Sequence, residues 1–534
     1  MRSADQPIVT SPDALLVRRA PLGGSPLSLA LQRGDDRGWL TARPTDRRGW
    51  QQHAEAIRGS FAGRDWLGAL APAFAATGAA QGRLAQAAAD GLVITTGQQP
   101  GLFGGPLYTL SKAIGAIALA DALQDALQLP VAPVFWAATD DADWHEASVA
   151  RFATGKGVVT ATLGGPATEG VAMADVPLGD LSAIWPVLDS ASGSAADLRV
   201  RQVLESAYQP TATIGHAYLV LLRDLLEPFG MAVLDAAHPA VREAADPALR
   251  EALRHAGLIE RALVTRSDAI VAAGFTPQVE HIERLSLVFH RQRDPHGVEV
   301  RERIPIEDAS MRADGALRGS LGPNVLLRPV IERSLLPTAC YLAGPGELAY
   351  FAQVSAVAEA MGVAAPIAVP RFACELIEAH HVARLAEIGL AEDDLRIPHQ
   401  AEQHVARRHV SEQMNDALER LRVTMDAQLR AIGDANDGEA VLAPEVIGGL
   451  ARDLEHRIGR FERRLLAGIK RRESQTMQEV TVLRAAIRPE GHSPERHLNP
   501  MPLLARHGVG VLDRMRDEAM AYANALVQGS ASFR

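Results

Sequence analysis

Cysteine is nearly absent from this chain. Its 534 residues hold two, Cys340 and Cys374, and neither belongs to a CxxC pair. That excludes a disulfide framework and argues against a four-ligand zinc site. Cys340 lies in an apolar run and reads as a small core residue. Cys374 precedes a helical stretch and would be reactive only in electropositive surroundings. With His380 and His381 it makes a poor zinc pattern, so no metal ligand set is expected. An excess of positive charge is also missing. The formal net charge is -10 and the pI about 6.0, which speaks against a general nucleic-acid binder. No uncharged apolar run reaches membrane-spanning length; the longest helical candidate carries Lys112 and Asp121. The stretch Met1–Pro7 lacks the apolar core of a secretory signal. There is no internal repeat. The expectation is a soluble, cytoplasmic protein with no nucleic-acid or membrane partner. At this length and 47% hydrophobic composition it can bury a large core in more than one domain.

Both standard nucleotide fingerprints, GxGxxG and GxxxxGK[ST], are absent too. What stands in their place is a β-branched run, Val93-Ile94-Thr95-Thr96, that stops in Gly97-Gln98-Gln99-Pro100-Gly101-Leu102-Phe103-Gly104-Gly105-Pro106. An amphipathic segment follows from Leu107 to about Leu127, with Leu110, Ile114, Ile117, Leu119 and Leu123 near helical spacing. This is a strand, a glycine loop and a helix start. Gly97, Gly101, Gly104 and Gly105 allow close backbone approach, and free N–H groups at a helix start suit a phosphate or carboxylate. The competing possibility is a tight turn that binds nothing. A second apolar run, Pro130–Trp136, completes a strand–helix–strand unit, hence a parallel sheet with ligands at the strand C-terminal ends.

Several constellations fall at such ends. Asp140-Asp141-Ala142-Asp143-Trp144-His145-Glu146 follows the second run. Its carboxylates suit Mg2+ on a nucleotide, an amine, or general-base work, or else simply complement the dipole of the next helix. Arg328, in Asn324-Val325-Leu326-Leu327-Arg328-Pro329, is either aimed at an anion or paired with Glu332. Gly344-Pro345-Gly346-Glu347 repeats the glycine-turn-to-helix pattern, and Glu347, Tyr350 and Gln353 share a helix face that would point to substrate. Arg371 is a second candidate anion contact. The chain from 239 to 270 looks helical, and about 275–330 looks like short strands inserted in the core. Farther on, apolar residues from Met414 to Ile432 and from Ile447 to Ile469 alternate spacings of three and four, around a breaker cluster Gly433–Gly438. That predicts an antiparallel coiled-coil hairpin. Its basic residues, Arg457 to Arg472, form a solvated face or an anion-binding one.

The loop TGQQ-x-G-L-F-x-G-P-L-Y, followed by Lys112, resembles the bacillithiol biosynthesis cysteine-adding enzymes, also called cysteine ligases. The resemblance continues along most of the chain. Asp141, Asp143 and Glu146 match the family's E-D-H-D-F-x-E pattern; Asp140 is a shortened Glu, Trp144 replaces Phe, and Ala142 stands where the family has histidine. Asn324–Pro329, Leu342–Gln353 and Pro370-Arg371 match further segments. So does Pro489–Asn499, which retains Glu495, Arg496 and Asn499 while Pro494 replaces Gln. The resemblance implies an α/β fold: a Rossmann-like parallel-sheet core with connecting insertions (about 150–215 and 239–322) over residues 1–390. It implies a coiled-coil hairpin and C-terminal segment over 391–534, with homodimerisation through the coiled coil. The implied reaction is amide formation between the cysteine carboxyl and the amine of glucosaminyl malate. The implied cofactor is ATP/ADP with Mg2+, activating the carboxylate as either an acyl phosphate or an acyl adenylate. Implied catalytic residues are Asp141, Asp143 and Lys112. Implied substrate or nucleotide contacts are Gly97, Gln98, Gln99, Gly101, Gly104, Gly105, Asp140, Asn324, Arg328, Gly344, Gly346, Glu347, Tyr350 and Arg371. Two alternatives stand beside it: a Rossmann-type synthetase or transferase acting on a different amine, and a non-catalytic coiled-coil assembly protein.

Overall fold

A computed structural model of the protein describes residues 14–165, 170–194, 197–293, 299–439 and 441–530. The stretch Met1–Pro7 lies outside them. The chain divides into two compact units. The larger comprises Val17–Phe152, Thr160–Leu376 and Glu495–Arg534; the other comprises residues up to Leu16, Ala153–Val159 and Ile377–Pro494.

Strands of the larger unit arise where β-branched and apolar residues run together. Those of the main sheet and of the insertion are, in chain order, β1 (Leu92–Gln98), β2 (Val131–Ala137) and β3 (Ala232–Asp235), then an insertion of β4 (Leu285–Arg293), β5 (Glu299–Pro305) and β6 (Leu321–Pro323), then β7 (Thr338–Ala343) and β8 (Ala368–Pro370). β2 and β7 are buried at every position, as strands covered on both faces must be. Five strands form one sheet in the order β8-β7-β1-β2-β3, every neighbouring pair parallel. From β1 the chain works outward through β2 to β3, then returns to the other side of β1 for β7 and β8. This is the doubly wound order, and its reversal falls between β1 and β7. The insertion forms a separate antiparallel sheet, β5-β4-β6.

Strand bounds differ from the sequence expectation by one or two residues. A further strand, Leu15–Arg19, precedes the one expected to come first. The stretch 239–270 is two helices, Pro239–Arg254 and Ala256–Ala272. Helix α1 (Tyr108–Leu127) differs in character: it is buried nearly all round, Lys112 included, and is not amphipathic. A helix apolar on every side belongs inside a core. Short α2 (Trp144–Ala147), α3 (Arg328–Leu335) and α4 (Pro345–Ala360) follow the C-terminal ends of β2, β6 and β7 respectively.

The smaller unit contains α5 (Glu412–Glu439) and α6 (Pro444–Arg472). Arg422 of α5 pairs with Glu462 at 2.8 Å and Glu455 at 3.5 Å, one heptad apart on α6. Here the expected breaker fails: α5 runs through Gly433–Gly438, and the turn comes after Glu439. Two glycines cost a helix about 1 kcal/mol each, too little to end one of this length. Asn436 instead closes the turn, accepting from Leu442 N at 2.7 Å and donating to Leu442 O at 2.8 Å. Pro444 then starts α6 at its first turn, where a missing N–H is harmless. The boundary expected near 390 falls at Ile377, and the C-terminal segment does not stay with the hairpin. From Glu495 it belongs to the larger unit, where α7 (Val511–Val527) packs along α1. Among the described residues no helix is long and apolar enough to cross a membrane.

Candidate active site

At the C-terminal ends of β1 and β7, where the strand order reverses, a cleft of about 770 Å³ opens. Such crevices are where doubly wound sheets bind ligands. Gly97, Gln98 and Gln99 at the end of β1 line it, with Lys112, Asp140, Asp141, Asn324, Arg328, Gly344, Gly346, Glu347, Tyr350 and Arg371. Segments scattered over the sequence therefore converge on one cleft.

Its floor is a chain of charged hydrogen bonds. Tyr108 and Lys112 are four residues apart on α1 and share a face. The Lys112 ammonium donates to Gly97 O at 2.8 Å and Gln98 Oε1 at 2.9 Å and pairs with Glu347 Oε2 at 2.5 Å. An ammonium has three donors, so all three are engaged and Lys112 acts as a strut between β1 and α4. Burial lowers its pKa against the pull of Glu347. Glu347 reaches back to the amide of Gly344 at 2.6 Å and accepts from the Tyr341 hydroxyl at 2.6 Å. Burial would raise its carboxyl, but Lys112, Tyr341 and the Gly344 amide hold it below the usual range. Space at Gly344 is tight: a Cβ there would lie 3.1 Å from Glu347 Oε2, closer than most such contacts, and 3.5 Å from Lys112 Cε, an ordinary contact.

Both anticipated roles of Arg328 are realised together. It pairs with Glu332 at 2.8 Å and donates to the hydroxyls of Tyr341 at 3.3 Å and Tyr350 at 3.2 Å while facing the cleft. Arg371 is less available than expected. Its fork is closed by Glu495, Nη1 at 2.6 Å and Nη2 at 2.8 Å, and Nη1 also donates to Phe372 O at 2.7 Å. Asn324 caps the turn before α3 by accepting from Leu326 N and Leu327 N at 3.1 and 3.0 Å.

Of the acid cluster, Asp140 and Asp141 line the cleft and Asp143 does not. Asp143 caps α2, accepting from Glu146 N at 3.0 Å, as the dipole argument allowed. Asp140 pairs with Arg291 of β4 at 3.3 Å. Asp141 accepts from the amides of Ala142 at 2.6 Å and Asp143 at 3.2 Å, yet burial and neighbouring Asp140 raise its carboxyl pKa. Neither Ala142 nor His145 lines the cleft.

The glycine loop departs most from expectation. Gly101, Gly104 and Gly105 lie away from the cleft and hold the loop closed on itself. Gly104 N donates to Gly101 O at 3.0 Å and to the Tyr208 hydroxyl at 3.1 Å, and Gly105 N to Leu102 O at 3.1 Å. Asn499 then clamps the loop, its Nδ2 donating to the carbonyls of Phe103 and Gly105 at 2.9 Å and Leu102 at 3.2 Å. The Gly104 and Gly105 amides are thus taken up within the fold and do not face a phosphate in the cleft. Gln353 leaves the substrate face as well, bonding to Val279 N at 3.1 Å and Val279 O at 2.9 Å. Elsewhere, in the smaller unit, potential ligand atoms of Glu378, His380 and His381 lie within 4.8 Å of one another, without Cys374.

Sequence patterns left other contributors unassigned. Glu146 accepts from the Tyr108 hydroxyl at 2.9 Å and Gln99 Nε2 at 2.6 Å, making a polar wall; the spacing of Tyr108 and Lys112 was the signal for the first of these. Arg301 and Arg303 enter from the insertion and Arg496 from the C-terminal segment. Among the described residues none of these three closes an ion pair. The cleft thus presents six cationic side chains to four carboxylates, with the excess on arginines that lack a carboxylate.

A doubly wound α/β fold with such a cleft at its switch point defines a Rossmann-type protein whose cleft carries an excess of positive charge. A family model described as bacillithiol biosynthesis BshC, N-terminal Rossmann-like domain, matches residues 72–372, and one for the C-terminal coiled-coil domain of BshC matches 376–525. The chain belongs to the bacillithiol biosynthesis BshC family. Curated relatives bear the name "Putative cysteine ligase BshC". That of Koribacter versatilis (strain Ellin345) is 30% identical over 453 residues, 80% of this chain and 81% of the relative. That of Solibacter usitatus (strain Ellin6076) is 29% identical over 456 residues, 80% and 82%. That of Bacillus velezensis is 24% identical over 433 residues, 78% and 80%.

Proposed function

We propose that this protein is a cysteine ligase of bacillithiol biosynthesis, forming an amide between the cysteine carboxyl and the amine of glucosaminyl malate. The observation that carries the reading is the excess of unpaired arginines in a switch-point cleft of a BshC-family chain. Both the sugar malate and a nucleotide are polyanions. A free carboxylate is a poor acyl donor, and ATP, when bound, supplies the activation that lets an amine displace oxygen. The arginines fit its phosphates by charge, while Gly104 and Gly105 do not, because their amides are bonded within the fold and lie away from the cleft. Asp141 or Glu146 is the carboxylate free of an arginine that would meet Mg2+.

The remaining work falls to the chain's own groups. An ammonium must lose a proton before it attacks. Asp141, its basicity raised by burial and by Asp140, takes that proton. Glu146, Gln99 and Tyr108 offer donors and acceptors to sugar hydroxyls. Lys112 and Glu347 position the wall of β1 against α4. The coiled coil would join two copies, and the enzyme would work in the cytoplasm.

The test is mass spectrometry of the products from purified protein with cysteine, glucosaminyl malate, ATP and Mg2+, each omitted in turn. The cysteinyl amide is expected only from the complete mixture. Its absence there, with the protein folded, would overturn the assignment; product without ATP would overturn the activation step alone.

A further inference from the structure

Arg301 and Arg303 stand two residues apart on β5, so both side chains leave the same face of the insertion sheet. On the paired strand β4, Phe289 sits opposite Arg303 and Arg291 opposite Arg301. Both guanidiniums rest over the single ring of Phe289, at 5.5 Å for Arg301 and 5.3 Å for Arg303. All three residues line the cleft.

Their neighbour Arg291 shows what a structural arginine on this sheet looks like. It is held by Asp140 at 3.3 Å and Glu299 at 3.2 Å and is nearly buried. Arg301 and Arg303 have no such partner among the described residues. Burial lowers the Arg303 guanidinium with no carboxylate opposing it. Arg301 pulls the carboxyl of Asp141 downward without closing an ion pair. Two like charges held against one aromatic ring repel each other, and a ring quadrupole offsets only part of that repulsion. Adjacent guanidinium forks in a partly dry cleft, with no protein anion between them, match two negative charges on one ligand.

We infer that Arg301 and Arg303, backed by Phe289, are the seat of a dianionic group: a dicarboxylate such as the malate end of the amine substrate, or the polyphosphate of a nucleotide. This rests on the ligase reading of the cleft, but its test does not use turnover. Calorimetric titration of the full chain with L-malate, L-lactate and ATP, each alone, separates the sources. At least one of malate and ATP should bind the wild type, malate more tightly than the monoanion lactate if the dicarboxylate is the occupant. The Arg301→Ala/Arg303→Ala protein should lose at least tenfold in affinity for that probe only. Arg301→Lys/Arg303→Lys keeps the charge without the fork and should lose less. Identical binding of malate and of ATP by wild type and double alanine variant, or binding of neither by the wild type, would overturn the seat. Arginine-dependent binding in a protein that makes no cysteinyl amide would leave the seat standing and remove the ligase assignment.

Discussion

Replacing Glu495 by alanine should be the most damaging single change to the larger unit outside its apolar core. Glu495 and Arg371 are each 3% exposed. The carboxylate closes both arms of the guanidinium, at 2.6 and 2.8 Å, and accepts from Cys374 N at 3.2 Å. Alanine leaves Arg371 charged and buried with the Phe372 carbonyl as its remaining acceptor in this group. Burial alone would depress the guanidinium, and Glu495 raises it; a guanidinium does not escape by deprotonating. Removing one partner of a buried pair costs about 3–5 kcal/mol, against a total stability of about 5–15 kcal/mol. All six tryptophans (39, 50, 66, 136, 144 and 185) lie in the larger unit, so their fluorescence during guanidinium chloride unfolding reports that unit alone. The Arg371→Met/Glu495→Leu protein, with the charge gone, should recover most of the loss, to within about 1–2 kcal/mol of wild type. A loss below about 1 kcal/mol for Glu495→Ala, or a double variant as unstable as the single, would refute the view that an orphaned buried charge dominates.

Three further outcomes follow from the same geometry. Asn499→Ala removes three bonds to loop carbonyls and should cost about 1–3 kcal/mol; hydrogen exchange should speed up at Gly104 and Gly105, and unchanged protection there would count against the clamp. Asp141 has its pKa raised in the folded state, so the stability linked to its proton is full at acid pH and lost as pH rises through the folded value. Asp141→Asn should therefore melt higher than wild type at pH 7, lose that advantage below about pH 4, and turn over far more slowly; a lower melting point at pH 7 would sink the linkage. Gly344→Ala crowds Glu347 Oε2 and makes that carboxylate shift, so it should weaken ligand binding while costing about 1 kcal/mol of stability, read by titration and denaturation together.

Local pattern carried the fold a long way. The run Val93–Thr96 ending in a Gly/Pro turn announced β1, and its spacing to Pro130–Trp136 announced the parallel unit whose strand ends hold the cleft. What local pattern does not carry is the identity of a partner far along the chain. Gly104 and Gly105 look like an anion cradle until Asn499 takes the carbonyls of Leu102, Phe103 and Gly105 and the Gly104 and Gly105 amides bond within the fold. Arg371 looks like an anion contact until Glu495 fills its fork. Both partners come from one short C-terminal segment, and nothing in the spacing of Pro489–Asn499 says where it docks. The breaker Gly433–Gly438 misled for a different reason: a long helix absorbs two glycines, and Asn436 sets the turn beyond them.

The cations of the cleft fall into two groups with different consequences. Lys112, Arg328 and Arg371 are satisfied by Glu347, Glu332 and Glu495; the first and last pairs join separate segments of the sheet rim, and Arg328, paired within α3, reaches β7 and α4 through the Tyr341 and Tyr350 hydroxyls. Their charges are spent on holding β1, α3, α4 and the C-terminal segment in place, so a ligand gains little from them without breaking the frame. Arg301, Arg303 and Arg496 sit on elements added to the sheet, the insertion and the C-terminal segment, and carry the charge that is not cancelled. A doubly wound sheet supplies the crevice in many proteins whatever they bind. Here the frame residues should tolerate no exchange of ligand chemistry, whereas Arg301, Arg303 and Arg496 should set which anion is admitted, because they can trade water for a ligand without leaving a buried carboxylate behind.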